Sequence, residues 1–216
     1  MDSGRDPVRV LCDAMIRHEA FPNQSVLVPT TVNWGGHPIT IGVAQEVPRT
    51  YRGRTREDTA RDLEDLSRVV NLAKTGKLTC YSSQEIEFET WGLRRMHSLD
   101  PESNPFRDVT FHRCKMRYSR SIVIGGSFTR DWFREEKASF LATITDPRFR
   151  DLDKATGGHH SSDCYHLWTA ELSDLHVFLT KERAFRNAFQ NQLRLSSKIR
   201  IMTPHELGCF VDASNA

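Results

Sequence analysis

Four short apolar runs, "VRVLC" (8–12), "KLTCYSS" (77–83), "HVFLT" (176–180) and "KIRIMTP" (198–204), are separated by segments with helical spacing, and this alternation constrains the fold more than any other feature. Strands that alternate with helices pack as a largely parallel sheet covered by those helices, so an α/β fold is expected. The clearest helical segment is 56–78, with Leu63, Leu66, Val69, Val70 and Ala73 on one face and a stop signal at Gly76. Further helices are expected over 82–99, 128–144, 146–155, 163–173 and 182–193. Two regions break the alternation. Residues 25–47 read as two extended pieces around Gly35-Gly36, a hairpin, followed by a basic loop at 51–56. The stretch "VTFHRCKMRYSRSIVIGG" alternates apolar and basic residues and reads as an inserted strand or hairpin. One domain spanning 1–216 is expected, with insertions at about 20–60 and 100–140.

Bulk composition excludes several classes. A net charge of +2 from 30 basic and 28 acidic residues carries no global polyanion signal, so only the local distribution of charge bears on nucleic acid. The five cysteines contain no C-x-x-C pair and are odd in number, which argues against a zinc site or a disulfide framework. No segment approaches the ~18 apolar residues of a membrane span, and "MDSGRDPVRV" has no apolar leader core. A cytoplasmic protein with no membrane partner is expected.

Four acids stand out by position. Asp13 follows the first strand, Glu89 lies in the helix after "TCYSS", Asp163 begins the helix after "GGHHSS", and Glu182 follows "VFLT". Each lies beside the carboxyl end of a strand, or at the start of a helix that follows one. In an open α/β sheet that edge is where ligands bind. Carboxylates that converge there repel one another and resist desolvation, and a hard divalent cation with oxygen ligands, Mg²⁺ or Mn²⁺, is the simplest compensation.

The pieces "VRVLCDA", "CYSSQEIEFETWG", "SSDCYHLWTAE" and "VFLTKERAF" resemble, in chain order, the acidic motifs of PIN-domain nucleases. The resemblance implies a three-layer α/β/α sandwich with a central parallel sheet, and metal-dependent hydrolysis of RNA phosphodiesters. It implies Asp13, Glu89, Asp163 and Glu182 as the catalytic, metal-holding set, with Glu85 as the fallback for Glu89 and with Glu87 pointing elsewhere. Many family members are toxins of toxin–antitoxin pairs, so an antitoxin partner is implied and a homodimer stays open. Two positions depart from the family pattern: Glu182 stands where Asp is commoner, and Met15 where Asn is frequent.

Each acid has a structural reading as a helix cap or solvated side chain, Asp163 above all. Thr180 reads equally as a plain strand-end residue and as a residue that bonds a carboxylate or a substrate phosphate. His159 and His160 read as loop residues near the site, and His166 as a packed helix residue. Arg113, Lys115 and Arg117, continued by Arg120, form an alternating basic run, and Arg52, Arg54 and Arg56 a second. A solvated face is the default reading of both runs; as phosphate contacts they would supply sequence-independent affinity, and Arg113, Lys115 and Arg117 are the residues assigned to RNA phosphates. Trp91, Trp132 and Trp168 read as core, and Trp34 beside Gly35 as an exposed exception. The competing functions are a non-catalytic RNA-binding or scaffold PIN-like domain with a decayed site, and a metal-binding hydrolase of small phosphate esters.

Overall fold

The apolar runs form strands β1 (Val8–Cys12), β4 (Leu78–Ser82), β6 (Val177–Leu179) and β7 (Arg200–Met202), joined at one edge by β5 (Phe111–Arg113). The computed structural model describes residues 6–21, 23–48, 55–93, 104–121, 130–190 and 197–215. The five strands are all parallel, in the order β5-β4-β1-β6-β7. The chain starts in the centre, builds outward on one side through β4 and β5, and returns to build the other side through β6 and β7. The order therefore reverses between β1 and β6, and that crevice, at the carboxyl ends of the strands, is where open α/β sheets take ligands.

Both faces of the sheet are covered, which explains the continuous apolar runs. Successive residues of a strand point to opposite faces. Val10, Cys12, Val177 and Leu179 pack with Leu66 and Val69 of α2 (Arg56–Lys74) and with Leu207 and Val211 of α8 (Pro204–Asn215). Leu11 and Phe178 pack on the opposite face with Phe140 of α4 (Arg130–Thr143), Phe149 of α5 (Pro147–Ala155), and Cys164 and Trp168 of α6 (Ser161–Leu172). Phe185 of α7 (Arg183–Gln190) and Ile86 of α3 (Gln84–Leu93) complete that side. The result is the expected three-layer α/β/α sandwich. Trp168 is core as expected, Trp132 is partly buried against Phe133, and the Trp91 side chain lies outside the described residues.

The Gly35-Gly36 hairpin is present and longer than its expected pieces, pairing β2 (Asn23–Trp34) with β3 (His37–Pro48) in antiparallel register. Gly35 and Gly36 take φ of 58° and 84°, the two positive values that a tight hairpin turn of the I′ kind demands. Trp34 at its tip is 74% exposed.

One local expectation is met in one of its two forms, and another needs correcting. Of the two readings of the alternating stretch 109–126, an inserted strand or a hairpin, its described residues contain a strand. Only Phe111–Arg113 is strand, and it lies parallel on β4, with the Cys114 N–H donating to the Ser82 carbonyl. Beyond it the backbone leaves the sheet, and the Lys115 N–H donates to Ser173 Oγ at 2.9 Å. The C-terminal segment, expected to end in strand, continues as helix α8. Its signal was local: Thr203 Oγ1 accepts from the Glu206 N–H, while Glu206 Oε2 accepts from the Thr203 N–H, a capping box with Pro204 at the first helical position. Among the described residues no helix is long and apolar enough to cross a membrane. All five cysteines are free thiols, four of them buried.

Candidate active site

The parallel register that aligns β1 with β6 carries Asp13 and Thr180 to the same edge of the sheet. The Asp13 N–H donates to the Leu179 carbonyl, extending the ladder by one bond. Its side chain turns to the Thr180 hydroxyl, which donates to Asp13 Oδ2 at 2.7 Å. Asp13 stands at the N-cap position of the short helix α1 (Ala14–Glu19), yet its carboxylate caps no backbone N–H. Only 5% of it is exposed. Burial, followed by the charge of Glu89, pushes its pKa up to about 6, against the opposing effects of the His166 charge and the Thr180 hydrogen bond.

Glu89 enters from α3, where the Ser83 hydroxyl accepts the Ile86 N–H at the helix start. One oxygen, Oε1, accepts three donors: the Lys137 ammonium from α4, His166 Nε2 at 3.0 Å and Ser162 Oγ at 3.1 Å, the last two from α6. Burial by itself would raise this carboxyl. The charge and hydrogen bond of His166, then those of Lys137, outweigh burial and hold it well below the ordinary carboxylate range. His166 is 1% exposed. Burial opposes its protonation, but the Glu89 charge and hydrogen bond win and raise it above the usual imidazole value. Its Nδ1 is buried with no hydrogen-bond partner among the described residues.

Asp163 lies in the first turn of α6, two residues inside the helix. The N-cap position belongs to His160, whose side chain makes no capping bond, so the cap reading of Asp163 fails. Its carboxylate faces His160 Nδ1 at 3.6 Å. Burial raises its pKa and the charges of Glu182 and Glu89 add to the rise, against His166 and Lys137. Glu182 sits on the exposed lip after β6, its backbone N–H donating to Thr180 Oγ1 at 3.1 Å. Thr180 thus ties the first and fourth acids together.

Asp13, Glu89 and Asp163 come into mutual electrostatic range, and Glu182, 169 positions from Asp13, joins them through Asp163. The neighbouring acids of α3 go elsewhere. Glu85 receives a two-pronged pair from Arg120 at 2.8 and 3.0 Å and is buried with it, which removes both the fallback ligand and one member of the basic run. Glu87 bonds Ser82 Oγ and Arg17, pointing away as expected.

Sequence reasoning missed Lys137, because a lysine inside "FREEKASF" has no motif signature and reaches Glu89 only through the packing of α4 against α6. None of the basic residues expected on RNA bonds one of the four acids among the described residues. Arg113 and Lys115 are exposed beside the carboxyl end of β5, and Lys115 adjoins Ser173, at the opposite end of α6 from Asp163. Arg117 is exposed and paired with Asp146 at 2.7 Å. Arg56 is exposed at the start of α2, and Arg52 and Arg54 lie outside the described residues.

Compared with known proteins, the chain matches no family model, no curated protein and no solved structure. The chemistry of the site is thus argued from its own geometry. Hard carboxylate oxygens, two of them on acids whose pKa values are raised by burial and then by their acidic neighbours, fit a Mg²⁺- or Mn²⁺-type cation in kind. As the side chains stand, no three His, Cys, Asp or Glu groups among the described residues are close enough to enclose one. Glu89 is turned instead toward Lys137 and His166, which supply positive charge from within the chain.

Proposed function

We propose that this chain is a PIN-like nuclease, dependent on Mg²⁺ or Mn²⁺, that hydrolyses RNA phosphodiester bonds. The observation that carries the reading is the convergence of Asp13, Glu89, Asp163 and Glu182 at the crevice where the strand order reverses, with Asp13 buried and pushed up to about 6. Asp13, Glu89 and Asp163 would hold the cation, and Glu182 would complete the site directly or through water. Bound there, the cation supplies a lowered pKa for an attacking water and neutralises charge on the phosphoryl oxygens.

The chain's own groups do the positioning. Thr180 fixes one oxygen of Asp13 and leaves the other for a ligand. Ser162 and His166 fix one oxygen of Glu89 in the same way. Lys137 is a counter-charge: it balances Glu89 beside His166, and its flexible four-carbon stem would let it turn to a substrate phosphate. No side-chain nucleophile is required. The toxin of a toxin–antitoxin pair, with an antitoxin or homodimer as its assembly, is the biological setting the resemblance implies, and a cytoplasmic location goes with it.

The deciding experiment incubates the protein with RNA, single-stranded DNA and a small phosphate ester, each with Mg²⁺ or Mn²⁺ and with chelator. Metal-dependent cleavage of RNA supports the reading; cleavage of the small ester alone points to a phosphatase-like hydrolase. The internal neutralisation of Glu89 by Lys137 and His166, together with Met15 at the exposed position beside Asp13, favours a second reading, a non-catalytic RNA-binding or scaffold domain. A divalent titration separates the two, because a cation that binds only the folded chain raises its stability by linkage.

A further inference from the structure

A cleft of about 460 Å³ lies between α4, α5 and α6, and its walls include Arg134, Lys137, Arg150, Asp153, His159 and Ser162. Two of these residues, Lys137 and Ser162, also donate to Glu89 Oε1, so the cleft and the Glu89 carboxylate share a wall. The size suits about one nucleotide unit. Arg134 lies one helical turn before Lys137, has a side chain 72% exposed, and among the described residues meets only its helix neighbour Asp131 at 3.5 Å, a surface pair of little strength. Arg150 spends one N–H on the Ala142 carbonyl at 2.7 Å and rests its guanidinium over the Phe149 ring, which fixes its position. A guanidinium has five N–H donors, so most of its capacity remains available. Against these three cations stands one acid, Asp153, whose Oδ1 is buried with no partner among the described residues. Asp153 lines the cleft, and its carboxylate can accept a hydroxyl or amino donor, a group that a nucleotide carries and a bare phosphate does not.

We infer that this cleft is the track of a single-stranded RNA chain, with Arg134 and Arg150 on backbone phosphates flanking the reacting one and Asp153 on a sugar hydroxyl or base amino group. The inference deepens the nuclease reading by naming where its substrate lies, and it moves the phosphate contacts from the run 113–117 to α4 and α5. Phosphate contacts of this kind give sequence-independent, salt-sensitive affinity.

The test measures binding of a fluorescently labelled single-stranded RNA by anisotropy, in chelator so that no cleavage intervenes, across a salt series. Arg134→Gln with Arg150→Gln should weaken binding about tenfold at low salt and lower the log–log salt slope by about 1.4, two phosphates at ~0.7 each. Arg113→Gln with Lys115→Gln should change the slope by less. Lys137 stays intact in both variants, so the partners of Glu89 are preserved. Arg134→Glu, at an exposed position, repeats the test should Arg150→Gln impair folding. Asp153→Asn should narrow the preference for RNA over DNA of the same sequence. Wild-type affinity and slope in the Arg134/Arg150 variant, or no RNA binding by the wild type at low salt, overturns the inference. The nuclease reading fails separately: RNA binding that depends on Arg134 and Arg150 without metal-dependent cleavage sinks that reading and leaves the track standing. Cleavage with unaltered binding in the variant does the reverse.

Discussion

The Thr180 hydroxyl donates to Asp13 Oδ2 across the β1–β6 crevice, joining residues 167 positions apart at the point where the strand order reverses. The same oxygen of Thr180 accepts the Glu182 N–H. A single side chain therefore sets the orientation of one buried acid and the backbone that carries another.

Thr180→Val keeps the shape and removes both bonds. Loss of a buried hydrogen bond to a charged acceptor should cost about 1.5–3 kcal/mol in urea unfolding. Without that donor the Asp13 carboxyl should be harder still to ionise, so divalent binding near pH 6 should weaken more than binding near pH 8. Calorimetric titration at the two pH values reads this, and equal weakening at both would detach Thr180 from the ionisation of Asp13.

Asp13 titrates at about 6 in the fold against an ordinary 3.8. A raised acid contributes stability that is full below about 3.8 and is lost as pH rises through about 6. Replacing it by Asn should therefore stabilise the metal-free protein by on the order of 3 kcal/mol near pH 7.5 and about half that near pH 5. Denaturant unfolding in chelator measures the difference. Metal-dependent cleavage of RNA should disappear in the same variant.

Asp163→Asn should raise thermal stability in chelator at neutral pH, because burial and the charges of Glu182 and Glu89 raise the Asp163 carboxyl in the fold and the carboxylate caps no backbone N–H. Divalent affinity and RNA cleavage should fall together if it helps to hold the cation. Glu182→Asp should preserve or raise activity, and Glu182→Gln should lower it by less than Asp163→Asn, since Glu182 stands at the exposed lip. Full cleavage by the Asp163 variant would remove Asp163 from the chemistry.

Glu85 and Arg120 form a buried pair with side chains 2% and 10% exposed. Breaking it by Arg120→Met should cost about 3–5 kcal/mol, because an unpaired carboxylate stays in the core. The double replacement Glu85→Met with Arg120→Met should recover most of that loss. Thermal melts of the three variants make the comparison, and cleavage by the double variant should match the wild type.

The alternation of apolar runs with helical spacing determined the α/β class by itself, since a strand buried on both faces must be apolar throughout and a helix covering it must be apolar on one side only. "VRVLC" and "HVFLT" also placed Asp13 and Thr180 at strand ends, so the edge they occupy followed from the chain alone. The capping box at Thr203 and Glu206 was legible too, being a contact between residues three apart. Tertiary structure decided which acid of α3 joins the site: Glu85, one turn from Glu89, is claimed by Arg120 from a distant loop. It also decided that Lys137 rather than Lys115 meets the carboxylates, and that Asp163 is no cap. Local sequence encodes which face of an element is apolar, whereas the partner of a buried charge is set by which element packs opposite it. That choice is made only when the layers close around the sheet.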